Sequence, residues 1–278
     1  MQRHRSKQHL PFLSPLGNDA TTQSSPHYSK SFLILLLAAE IGIFIPGVLG
    51  VTSTLPITAG LVAHYNADSW TGSQWFDLSG AGNHVTEIGG TSIAVARPVG
   101  APAYVYGAST AWMRFPEGIL PSAAYTLFYV ARYNGASRDR IFPGWTSNWL
   151  SGFRTNIIGV AHHGSCAYIQ AQTPQASDGS DNWVVGSDRS NSIRINGNEK
   201  ASAGNTCAVF DRLVINTGYT SWALGVGSEG SDFAIQSVLV YNVKLSDADV
   251  QRVEAWLAAQ QPVFTPANMQ VRLHHEAA

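Results

Sequence analysis

The sequence predicts an all-β protein: a two-sheet antiparallel jelly-roll sandwich with one short C-terminal helix, preceded by an N-terminal hydrophobic helix. Three observations carry that expectation. Charged residues make up only 13% of the 278-residue chain while Gly alone counts 26, a balance of β-rich exported domains more than of helical cytosolic ones. From Leu61 onward, short runs of β-type residues alternate with Gly, Asn and Ser punctuation. Helical periodicity is confined to a capped segment near the end, apart from one long apolar run near the start.

The chain accordingly divides into a polar segment 1–31, an apolar segment 32–51, a sandwich domain 60–260 and a tail 261–278 without periodicity. Phe32 to Val51 makes about 30 Å of helix, enough to cross a bilayer. Arg3, Arg5, Lys7 and Lys30 precede it and no Lys or Arg follows closely, which puts the large domain outside the cell. Glu40 and Pro46 disturb the span, and Leu33–Ala39 also reads as the apolar region of a cleaved signal peptide. The long polar region before the apolar run favours the anchor, and either route leaves the domain membrane-anchored outside or secreted. With a net charge of −1 and no basic stripe, nucleic acid is not an expected partner.

Gly60–Ala67 (GLVAHYNA) reads as an opening strand, and Ala124–Gly135 (AYTLFYVARYNG) as a central strand apolar on both faces. The runs 182–188 and 191–198 read as strands, and the second holds Asn196-Gly197, whose positive φ angles suit a tight type I′ hairpin. Residues 211–219 and 234–243 supply further strands. Ser246 with Asp249 three residues on forms a capping box, and Val250, Val253 and Leu257 then share one helical face until Pro262. In Trp75–His84 (WFDLSGAGNH), Asp77, Ser79 and Asn83 bond nearby amides and Gly80 and Gly82 supply unusual φ, so the segment is a fixed turn.

Three of these pieces, the opening strand with the Trp75–His84 turn, the hairpin at Asn196-Gly197, and Asp232–Asn242 running into Leu245–Asp249, together resemble the laminin-G-like and pentraxin-like branch of the concanavalin A-like lectin/glucanase superfamily. The resemblance covers about residues 60 to 260. It implies calcium, with Asp68, Asp77 and Asn83 as candidate ligands and Asp178, Asp181 and Asp188 as a second set. Neither set has a fixed metal-loop spacing, so a calcium-free turn stays open for both.

Glucanases of that superfamily carry an E-x-D-x-x-E strand, which is lacking here; Asp247 and Asp249 stand two apart at a helix start, and Glu229 and Asp232 read as solvated loop groups. His162 and His163 alternate faces if they lie on a strand, so they do not easily share an ion. Trp145, Trp149, Tyr168 and Trp183 lie near turn-rich sequence, where rings can stack on sugar while His162 and His163 bond hydroxyls. Cys166 and Cys207, the only cysteines, pair if the domain is exported, two buried thiols being the alternative. The expectation is therefore a non-catalytic recognition or adhesion module, not an enzyme, that binds a glycan or a protein at a cell or particle surface and meets the membrane through residues 32–51. Two alternatives stay open: a structural subunit of a surface assembly, and a polysaccharide-cleaving enzyme, which needs two carboxylates at reaction distance.

Overall fold

The computed structural model describes residues 54–120, 124–163, 168–169, 183–202, 211–217 and 229–261. The apolar segment 32–51, both cysteines, Asp178, Asp181 and residues 262–278 of the tail lie outside the described residues. Among the described residues no helix is long and apolar enough to cross a membrane.

Among the described residues fifteen strands and one α-helix follow in chain order: β1 (Leu61–Asn66), β2 (Glu87–Gly89), β3 (Ile93–Ala96), β4 (Tyr104–Gly107), β5 (Trp112–Arg114), β6 (Thr126–Tyr133), β7 (Phe142–Pro143), β8 (Trp149–Arg154), β9 (Ile157–His163), β10 (Tyr168–Ile169), β11 (Val184–Arg189), β12 (Ser192–Ile195), β13 (Asn198–Ser202), β14 (Val214–Ile215), β15 (Phe233–Tyr241) and α1 (Asp247–Ala259). All pairings between these strands are antiparallel. An eight-stranded sheet runs β13-β12-β11-β6-β15-β4-β3, with β1 also on β15; a four-stranded sheet runs β10-β9-β8-β7 and a three-stranded one β14-β5-β2. The sandwich expected from two sheets is thus built from three. Between the two smaller sheets Asp211 accepts the backbone N–H groups of Trp145, Thr146 and Ser147. The bridge Gly144–Leu213, the bond from the Trp145 N–H to the Arg212 carbonyl at 3.0 Å and that from the Asn216 N–H to the Ile141 carbonyl at 3.2 Å link those two sheets.

Central strands read as continuous apolar runs because both of their faces are covered. Leu127, Tyr129, Ala131 and Tyr133 of β6 join Ile235, Val238 and Val240 of β15 in the main core with Trp75, Phe115, Phe142, Trp149 and Phe153. The alternate residues Phe128, Val130, Leu239 and Tyr241 point to the other face, where Val250, Val253 and Leu257 of α1 cover them. The capping box forms as expected: Ser246 Oγ accepts from the Asp249 N–H at 3.2 Å and donates to its carboxylate at 2.7 Å. Arg194 reaches from β12 to Glu254 of α1 at 3.0 Å, and Ser187 donates to the same carboxylate at 2.7 Å, so the helix is also docked by a largely buried ion pair. The Asn-Gly hairpin is present as well, with φ of 50° at Asn196 and 77° at Gly197.

Candidate functional site

β6 ends at Tyr133, and its phenol donates at 2.8 Å to the carbonyl of Asp139 in the loop beyond. That contact, and the 2.7 Å bond from the Asp139 N–H to Ser231 Oγ, fix Asp139 at the sheet's rim. Arg140 runs beside the segment that enters β15: its N–H donates to the Glu229 carbonyl at 2.9 Å and its guanidinium pairs with the Glu229 carboxylate at 2.6 Å. Two carboxylates therefore share the rim in unlike surroundings. Burial, the largest effect, raises the Asp139 pKa above its ordinary value, a hydrogen bond from the Thr155 N–H opposes the rise, and the negative charge of Glu229 adds to it. Glu229 sits against the Arg140 cation instead. Glu229 and Asp232, read from the sequence as solvated, are both engaged: Asp232 accepts the N–H groups of Ser109 and Ser137, each at 3.0 Å.

Two carboxyl groups in unlike surroundings are the kind of arrangement that divides acid from base or nucleophile in glycosidic cleavage. Neither was a sequence candidate, because their proximity depends on pairing a loop after β6 with a segment about 90 residues further on, a contact with no local signal.

The sequence-predicted residues scatter. Trp149 is 0% exposed and His163 1% exposed; their rings stack at 6.1 Å in the main core. His163 Nε2 lies 3.2 Å from the Asp188 carboxylate, whose other oxygen accepts from Tyr125 at 2.8 Å, so this buried network is closed to a sugar. His162 lies on the opposite face of β9, as expected, and its Nδ1 meets the Asn148 carbonyl. Half-buried Trp145 is occupied by Arg114, whose guanidinium carbon lies 3.8 Å from its ring centroid. Tyr168 pairs with His162 in the β10–β9 ladder, and its side chain is outside the described residues. Trp183 is half-buried, packed against the outer cluster and beside Tyr104 at 5.2 Å. The six do not form one platform.

Asp68, Asp77 and Asn83 do not fit calcium. Both Asp77 oxygens accept donors, from the His64 and Ser79 N–H groups at 2.9 and 2.8 Å and from Ser79 Oγ and the Asn83 N–H at 2.8 and 3.0 Å. Donor hydrogens pointing at a carboxylate occupy the lone pairs a cation needs. Asn83 Nδ2 donates to the Val62 carbonyl at 2.7 Å, and Asp68 pairs with Arg97. Among the described residues no group of three His, Cys, Asp or Glu side chains could hold a metal.

No known family pattern matches the chain, and no curated protein does. Solved structures share its fold. Domain 4 of an extracellular arabinanase from Geobacillus stearothermophilus, solved with arabinotriose, superposes with a TM-score of 0.52 at 17% identity over 70% of this chain and 98% of that domain. Trypanosoma rangeli sialidase, solved with sialic acid, gives a TM-score of 0.52 at 13% identity over 76% of this chain and 35% of the sialidase, so the chain spans about a third of that protein. The binding domain of Paraclostridial Mosquitocidal Protein 1 gives 0.51 at 12% identity over 70% of this chain and 52% of that one. The fold is a β-sandwich of the kind these structures share. These likenesses correct the expectation of a non-catalytic module that is not an enzyme: the same sandwich occurs in a domain of an arabinanase and in sialidases.

Proposed function

We propose that the chain is a carbohydrate-processing protein that cleaves glycosidic bonds, with Asp139 as general acid and Glu229 as the charged partner carboxylate. The observation that carries this reading is the pair itself, one carboxyl made hard to ionise by burial and by its neighbour, the other held beside Arg140. The arabinotriose and sialic acid bound by the two neighbours support glycan as the substrate class. The resemblance of the Trp75–His84 turn and the closing strand supports a laminin-G-like form of the sandwich, and the apolar segment behind Arg3, Arg5, Lys7 and Lys30 supports an extracellular location. In a test on the full chain, arabinan, sialyllactose and polygalacturonate are incubated with it and new reducing ends are counted. Release from at least one is expected, falling by about a hundredfold or more in Asp139→Asn and in Glu229→Gln. No release from any, or rates unchanged in both variants, would overturn the assignment.

A further inference from the structure

The outer face of the eight-stranded sheet is covered by α1 over only part of its area. Along β15 the cover lies on Leu239 and Tyr241, and the register is interrupted by a bulge between Ile235 and Ser237. Beyond the bulge Ala234 stands opposite Arg132 on β6 and Tyr106 on β4, so these three share a row, with Ala234 as a low floor between two long side chains. Val105 points into the main core, so Tyr104 and Tyr106 face outward; Tyr106 is 36% exposed. Trp183, just before β11, closes the other side, 5.2 Å from Tyr104. The Arg132 guanidinium carbon lies 5.4 Å from the Tyr104 ring centroid and 5.0 Å from that of Trp183.

One group in this surface lacks what ion pairs normally provide. Arg132 donates one hydrogen bond, from Nη1 to the Tyr133 carbonyl at 3.2 Å, and has no carboxylate partner among the described residues. Attraction to the rings uses none of its N–H donors, so a guanidinium is positioned by aromatic groups with its fork largely unspent.

We propose that Arg132, Tyr104, Tyr106 and Trp183 form a glycan-binding site for a carboxylate-bearing sugar, separate from the Asp139–Glu229 rim. The planar fork of Arg132 takes the sugar carboxylate, and the rings carry the apolar face of the pyranose. The inference rests on the carbohydrate reading above and adds a second site and a charge class to it. Uronate and sialate sugars share this chemistry, and separate ligands distinguish them.

Calorimetric titration of the full chain with trigalacturonate, sialyllactose and neutral arabinotriose tests it. One of the acidic ligands is expected to bind about tenfold tighter than the neutral one, with the difference shrinking as salt is raised. Whichever acid binds identifies the source of the carboxylate. Arg132→Gln should abolish the difference between acidic and neutral ligands, and Trp183→Ala should weaken retention of the acidic ligand several-fold, each with an unchanged melting temperature. Equal binding of acidic and neutral sugars by the parent, or a charge preference that survives Arg132→Gln, would overturn the site. If the acidic ligands fail to bind while reducing ends are still released, this site falls and the cleavage assignment stands; if acids bind through Arg132 and nothing is cleaved, the reverse holds.

Discussion

Tyr129 shows how narrowly single positions are constrained. Its ring stacks on Phe142 at 4.6 Å, and the neighbouring strands meet it with glycines. A Cβ at Gly186 would lie 2.0 Å from the Tyr129 ring, and one at Gly152, where φ is +83°, would lie 2.0 Å from its hydroxyl. Gly186→Ala should therefore cost about 2–3 kcal/mol in urea unfolding, the scale of overpacking a tight core. A loss under about 0.5 kcal/mol would show that the ring moves aside freely. Asp77 and Asp211 make the same point for polar groups: each carboxylate organises a loop by accepting several N–H donors, so neither is free for a ligand.

At the scale of elements, α1 joins local and distant determinants. Its start is local, and Ser246→Ala, which removes the cap, should lower stability by about 1 kcal/mol in the same unfolding measurement; no change would mean that packing alone sets the helix start. Its docking is not local. Val250, Val253 and Leu257 are legible as an apolar stripe, whereas Glu254 reads as one more polar helix residue until Arg194 and Ser187 are brought to it from strands about 60 residues away. The buried carboxylate is acceptable only because those partners surround it.

For the whole molecule, the buried His163–Asp188 pair ties stability to pH. Burial, the largest single effect, lowers the His163 pKa, but the Asp188 charge, the hydrogen bond to Asp188 and the one to the Ser190 carbonyl together outweigh it, so the net shift is upward. A histidine whose pKa is higher folded than unfolded contributes stability that is fully present below its ordinary value of 6.5 and is lost as pH rises through the folded value. The melting temperature should fall as pH is raised above 6.5, and His163→Gln should remove that slope while lowering the melting temperature throughout. Parallel pH profiles for parent and variant would sink this account.

What lies close along the chain was readable from the chain itself. The Asn196-Gly197 hairpin, the Ser246 cap, the two-sided apolar strand Thr126–Tyr133 and the Trp75–His84 turn depend on φ preferences, short side-chain reach and a period of two or 3.6, all of which act over a few residues. Which aromatic residues are fully buried was not readable, since Trp149 and Trp183 have similar neighbours in sequence, and only the layering sends one into the core and leaves the other half-buried beside the outer cluster. The Asp139–Glu229 pair and the Arg132–Tyr104–Trp183 surface were equally hidden. They are assembled by long-range strand pairing, and the energy that holds them together comes from core burial elsewhere, leaving no local periodicity to mark the residues themselves.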